Sequence, residues 1–124
     1  MSMGVFRLYR KIYRIDANTN QYTLISPTSI SASTFIAGTG ATESSSLIES
    51  NLSLTEEDTG IFYANLNPTL YASDVTYDLV WYIKYTAVAP DKKLTTRFRI
   101  KPFNIANQLD YEILSVYPIE IDVL

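Results

Sequence analysis

The side chains that most often carry catalysis or bind a metal are missing from this sequence. The 124 residues include no His and no Cys. Ser–His and Cys–His nucleophile pairs are therefore excluded, and so are zinc sites built from thiolate or imidazole. A lysine base or a pair of carboxylates remains as possible machinery, but a small domain offers little room for a deep cleft around them. The sequence predicts that the protein is not an enzyme and requires no cofactor.

Residues 56–58, with the sequence Glu-Glu-Asp, are the densest group of carboxylates in the chain. Carboxylate oxygens are ligands that Ca²⁺ prefers, but the alternating spacing and the closing glutamate of an EF-hand loop are absent. The alternative is a solvated turn that leads into Thr59 and Gly60. We expect the turn, and no metal.

Basic and aromatic side chains are interleaved near the amino end, in the order Arg7, Tyr9, Arg10, Lys11, Tyr13 and Arg14. This mixture can bind single-stranded nucleic acid, because the cations contact phosphates while the rings stack on bases. The isoelectric point of about 4.8 argues against a nucleic-acid partner. We favour the other interpretation, which is a first strand whose cations face solvent or an acidic neighbour.

Charge is distributed in blocks along the chain, although the net charge is only −3. Residues 16–78 contain eight acids and no base, and residues 84–101 contain six bases and one acid. Residues 102–124 contain four acids and no base. Such blocks indicate complementary patches on neighbouring strands or on neighbouring copies of the chain, although solvated faces can produce the same pattern.

Apolar and polar residues alternate with a period of two from end to end, and no stretch of about 11 residues carries the apolar stripe of a helix. The pattern predicts a single all-β domain with strands at residues 5–15, 22–26, 28–37, 47–54, 61–66, 76–88, 94–101, 109–117 and 119–124. Short strands separated by turn residues are typical of an antiparallel β-sandwich. The small polar residues of 38–46 predict a mobile loop.

The strongest strand signal lies at residues 76–88. One face of this strand carries Tyr77, Leu79, Trp81, Ile83 and Tyr85, and the other carries Asp78, Lys84 and Thr86. In the next strand the inward positions are Leu94, Thr96, Phe98 and Ile100, and the outward positions are Thr95, Arg97, Arg99 and Lys101. We predict a core in which five residues pack together: Tyr63, Tyr77, Leu79, Trp81 and Phe98.

Residues 58–64, Asp-Thr-Gly-Ile-Phe-Tyr-Ala, resemble the Asp-Thr-Ala-Val-Tyr-Tyr-Cys signature that opens strand F of immunoglobulin variable domains. Three departures separate the chain from antibody domains. Phe62 occupies the position of the tyrosine corner without its hydroxyl, Ala64 replaces the cysteine, and Trp81 follows the motif instead of preceding it. The resemblance implies an immunoglobulin-like sandwich that is not of the antibody type.

A second resemblance is to the small immunoglobulin-like domains of tailed-bacteriophage virion proteins, such as baseplate and capsid-decorating modules. It is carried by residues 59–63, Thr-Gly-Ile-Phe-Tyr, by residues 77–81, Tyr-Asp-Leu-Val-Trp, and by residues 92–100, a basic hairpin that ends in a Phe-containing strand. It implies an immunoglobulin-like antiparallel β-sandwich over residues 1–101, with a C-terminal strand extension or assembly arm over residues 102–124. Bacterial adhesin repeats share the pattern.

The end of the chain alternates between apolar and acidic residues after Pro118, in the order Ile119, Glu120, Ile121, Asp122 and Val123. A period of two requires that one face of this run is covered. We predict an arm that pairs with a sheet edge on a neighbouring chain, and the alternative is a strand that completes its own sheet. The bases expected at the assembly interface are Arg7, Arg10, Arg14, Arg97 and Arg99.

The expected function is that of a non-enzymatic structural component of a tailed-phage virion, on the capsid, neck or tail. Its partners would be other virion proteins and copies of itself, after synthesis in the host cytoplasm. No apolar run reaches the ~18 residues of a membrane span, and no signal peptide is visible, so no membrane partner is expected. The alternative is a carbohydrate-binding or adhesin module, which requires exposed aromatic platforms with convergent polar groups.

Overall fold

The structure, a computed structural model, describes residues 6–15, 18–38, 40, 44–85, 87, 92–101 and 110–117. Within these residues the chain forms ten strands: β1 (Phe6–Lys11), β2 (Tyr13–Ile15), β3 (Tyr22–Leu24), β4 (Ser29–Ala37), β5 (Ser44–Glu49), β6 (Ser53–Asp58), β7 (Ile61–Leu66), β8 (Thr76–Lys84), β9 (Lys92–Lys101) and β10 (Asp110–Tyr117). A single turn of 3-10 helix, Pro68–Leu70, lies between β7 and β8. No helix in the described part of the chain has the length and apolar character needed to cross a membrane.

The strands pair in an antiparallel manner throughout the described residues and form three sheets. A three-stranded sheet has the order β1-β7-β6, and a five-stranded sheet has the order β10-β9-β8-β4-β5. The short strands β2 and β3 form a separate pair. The prediction of an all-β antiparallel fold is confirmed.

The three-stranded and five-stranded sheets contribute their inner faces to one hydrophobic core. Leu8 and Ala64 enter it from the smaller sheet, and Trp81 and Phe98 enter it from the larger one. Trp81 has no exposed surface, and the rings of Tyr77 and Phe98 are stacked with their centroids 5.7 Å apart. The predicted inner face of β8 is therefore confirmed.

The chain passes from one sheet to another at Ile12, which divides the single strand predicted at residues 5–15. The Ile12 N–H donates to the carbonyl oxygen of Gly60 at 2.7 Å, and its own carbonyl oxygen accepts from the Ile25 N–H at 3.0 Å. Gly60 has a φ of +72°, and a Cβ atom added there would lie 2.7 Å from the Ile25 nitrogen. Three distant segments cross at this point, and the crossing requires a glycine at position 60.

The strand predicted at residues 47–54 is in fact two strands, β5 and β6. Residues 44–46, predicted as part of a mobile loop, belong to β5, and residues 55–58, predicted as part of a turn, belong to β6. These two predictions are wrong because strand pairing extends the chain where its composition favours a loop. Residues 39 and 41–43 of the predicted loop lie outside the described residues.

The burial of several side chains differs from the prediction. Tyr63, predicted in the core, lies on the outer side of β7, and Phe62 is buried instead. Asp78 and Thr95, predicted to face outward, are buried. For Asp78 and Thr95 the reason is that β8 and β9 lie inside the five-stranded sheet and are buried on both faces at these positions, whereas the prediction assumed one solvated face.

The strand β10 lies beside β9, with Asp110 opposite Lys101 and Glu112 opposite Arg99 in register. An acidic block of the sequence thus lies along a basic block on the neighbouring strand, which is one of the two arrangements that the charge distribution indicates. Residues 118–124, with the predicted arm, lie outside the described residues.

Candidate functional site

The outer side of the three-stranded sheet carries a group of four side chains that we call the tyrosine face: Arg7, Tyr9 and Lys11 on β1, and Tyr63 on β7. Alternation along β1 sends Leu8 into the core and its neighbours outward. Tyr9 is opposite Tyr63 in register, and their ring centroids are 5.3 Å apart with the planes inclined at 52°.

Tyr63 supports the tyrosine face because its ring is half-buried and in contact on two sides. The guanidinium carbon of Arg7 lies 4.4 Å from the centroid of this ring, which is cation–π geometry. Tyr9 is 49% exposed, and Arg7 and Lys11, two positions away on either side, are exposed as well. The face therefore presents one open aromatic ring between two cations.

The acidic run lies along the opposite edge of the same sheet, at the end of β6. Glu56, Glu57 and Asp58 are all exposed. The Glu56 carboxylate accepts hydrogen bonds from the Gly60 N–H, at 3.1 Å, and from the Ser26 hydroxyl, so this acid has a structural role. In the described part of the chain, no cluster of three or more acidic side chains is arranged to hold a metal ion.

Arg10, predicted as an exposed interface residue, points inward from β1 and is only 4% exposed. Burial lowers the pKa of its guanidinium to about 10. Arg14 is half-buried, with its guanidinium carbon 5.9 Å from the centroid of the Tyr85 ring. The prediction of a solvent-facing cation is therefore wrong for Arg10, because β1 and the crossing at Ile12 turn that position toward the interior.

Arg97, also predicted to face outward at the interface, forms an ion pair within the chain. Its Nε donates to Asp78 Oδ1 at 2.7 Å and its Nη2 donates to Asp78 Oδ2 at 2.9 Å. The Arg97 side chain is 14% exposed, and Asp78 is fully buried. This pair joins the acidic and basic blocks of the sequence across β8 and β9, and the assignment of Arg97 to an assembly interface stays a prediction. Arg99, on the same strand, is half-buried.

A hydroxyl network that the sequence analysis did not single out connects the β4–β5 hairpin to the 3-10 turn. The Tyr71 hydroxyl lies 2.6 Å from Thr34 Oγ1 and donates to Glu49 Oε2 at 2.5 Å, and the Asn67 N–H donates to the same carboxylate oxygen at 3.2 Å. Burial, followed by the hydrogen bond to Glu49, raises the pKa of Tyr71 above its usual range. The network stabilises the fold, and the irregular segment around Tyr71 carries no periodic signal that predicts it.

The remaining predicted interface residues, Ile119, Glu120, Ile121, Asp122 and Val123, lie outside the described residues. Comparison of the chain with protein-family models, with curated proteins and with solved structures finds no match. The tyrosine face and the acidic edge opposite to it are the surfaces from which a function is argued below.

Proposed function

We propose that this chain is a non-enzymatic structural component of a tailed-phage virion, held on the capsid, neck or tail by protein–protein contacts. The proposal includes an immunoglobulin-like form for the packed sheets, with residues 102–124 as a C-terminal extension. The resemblance carried by residues 59–63 and 77–81 supports the phage assignment, and an all-β antiparallel architecture is compatible with it.

Opposite charge on the two edges of the three-stranded sheet is the observation that carries the proposal. β1 exposes Arg7 and Lys11, whereas β6 exposes Glu57 and Asp58. Among the described residues no further strand lies beyond either edge. The intervening β7 keeps the two edges about 10 Å apart, so they do not cover each other within one chain. The basic edge of one copy therefore fits the acidic edge of the next, and a head-to-tail contact of this kind repeats from copy to copy and forms a ring where the rotation between copies closes.

A charge-swap experiment on assembled particles tests this contact. Lys11→Glu and Glu57→Lys each bring like charges together, which costs enough to reduce incorporation into particles by about tenfold or more. The double variant restores opposite charges and is expected to recover incorporation. Lys93→Glu, at an exposed base on β9, is the matched control and should be incorporated normally.

The amount of each variant in purified particles is measured by quantitative mass spectrometry. Normal incorporation of both single variants would contradict the edge contact. Failure of the double variant to recover would exclude a second copy as the partner of these edges and favour a different virion protein.

The predicted C-terminal arm is tested by deleting residues 119–124. If these residues form an arm, the shortened chain folds as a monomer with a nearly unchanged melting temperature but does not join the particle. If they complete the sheet of their own domain, the deletion removes the fold itself, and the circular dichroism spectrum separates the two cases.

A further inference from the structure

The tyrosine face holds an open aromatic ring in a fixed position. Tyr9 leaves about half of its surface in solvent, while Tyr63 beside it is half-buried and covered by the Arg7 guanidinium. A ring that its neighbours already hold loses little conformational freedom when a ligand stacks on it. The face is therefore preorganised for a flat or gently curved ligand of small area.

The chemistry around Tyr9 selects the type of ligand. The face of an aromatic ring is electron-rich, and it attracts the slightly positive C–H groups on one side of a pyranose ring. Arg7 and Lys11 lie about 7 Å along the strand in either direction and point to the same side of the sheet. Their N–H groups can donate to sugar hydroxyls and form charge-assisted hydrogen bonds to a carboxylate.

The acidic edge of the sheet favours a ligand with a single acidic group over a polyanion. Asp58 and Lys11 are both opposite Ile61 in register, on its two sides, so carboxylates lie two strands away from the cations. A phosphate backbone that crossed the sheet would meet Glu57 and Asp58, and the net charge of the chain is −3. A sugar that places one carboxylate beside β1 avoids this repulsion.

We propose that the tyrosine face binds an acidic saccharide of the uronic acid or sialic acid class. Tyr9 is the stacking platform, Arg7 and Lys11 bind the carboxylate and hydroxyl groups, and Tyr63 positions both Tyr9 and Arg7. This binding site goes beyond the proposed virion role and does not depend on it, since its test uses the purified chain without particles.

The test is a titration of the purified full chain by NMR with four probes: galacturonic acid, sialyllactose, lactose and single-stranded oligo-dT. At least one acidic saccharide is expected to bind with a Kd of about 1 mM, and neutral lactose about tenfold more weakly. Tyr9→Ala should weaken the binding of the acid about tenfold, and Lys11→Gln should weaken the binding of the acid more than the binding of lactose, because only the acid loses a charge-assisted hydrogen bond. Tyr22→Ala removes a tyrosine of similar exposure, 52%, outside the tyrosine face and should have no effect.

Binding of only one of the two acids supports the proposal and identifies the class. The proposal is overturned if neither acid binds at concentrations of about 10 mM, or if Tyr9→Ala binds as the wild type does while melting at the same temperature. It is also overturned if oligo-dT binds more tightly than both acids, because the cations and the ring would then serve a nucleic acid.

Discussion

Replacement of Asp78 by asparagine is expected to destabilise the fold by about 3 kcal/mol. Asp78 is fully buried and accepts two hydrogen bonds from Arg97, at 2.7 Å and 2.9 Å. Removal of one partner from a buried ion pair costs about 3–5 kcal/mol, because the other charge remains in a medium that solvates it poorly. We expect the lower end of this range because asparagine keeps one hydrogen-bond acceptor and because the Arg97 side chain is 14% exposed to solvent.

Urea unfolding, followed by the fluorescence of Trp81, measures the free energy of unfolding of the wild type, Asp78→Asn, Arg97→Met and the double variant. Because the two single changes break the same interaction, the double variant should be more stable than the sum of their losses predicts, by at least about 2 kcal/mol. Lys93→Gln, on the same strand as Arg97 but exposed, should change the free energy by less than about 0.5 kcal/mol. Additive losses, or a loss under about 1 kcal/mol for Asp78→Asn, would refute the reasoning.

Three further changes test the fold. Gly60→Ala should cost at least about 2 kcal/mol in thermal melting, because an L residue is strained at positive φ and the new Cβ would press on the backbone of Ile25. Tyr71→Phe should cost about 1–2 kcal/mol at neutral pH in urea unfolding, because buried partners lose the hydroxyl. Folding raises the pKa of Tyr71 above its unfolded value of 10.0. The stability that the Tyr71 hydroxyl contributes is therefore fully present below pH 10 and is lost as the pH rises above it. The wild type should therefore lose its advantage over Tyr71→Phe by up to about 1.4 kcal/mol per pH unit above pH 10; an undiminished advantage there would contradict the sign. Trp81→Ala should cost about 3–5 kcal/mol, and a solvent-exposed emission spectrum for Trp81 in the folded protein would contradict the assigned core.

The sequence predicts some strands well. β7 has the predicted bounds, and the predicted inward residues of β8 are buried, because a large apolar or aromatic side chain recurs at every second position from Tyr77 to Ile83. Which side chains of β7 face the core could not be predicted in the same way. Phe62 and Tyr63 are both aromatic, and the choice between them depends on pairing with β1 and on the crossing at Gly60, which are contacts between distant segments.

The candidate site was predictable only in part, for a similar reason. The basic and aromatic residue types near the amino end indicate a binding surface. Because side chains alternate along a strand, Arg7, Tyr9 and Lys11 fall on one side of it. The same period places Arg10 on the opposite side, but its burial depends on the second sheet that covers it. The contact between Tyr9 and Tyr63 depends on the register of β1 against β7, which the local sequence does not specify.

The most direct test of the virion role is a measurement of copy number. Particles of the tailed phage that is proposed to encode this chain are purified through two orthogonal steps, and the chain is quantified by mass spectrometry against the major capsid protein. A structural component is expected at a fixed ratio that matches a symmetric ring or shell and that does not change with further purification. Absence of the chain from purified particles, or a ratio that falls with each step, would contradict the proposal.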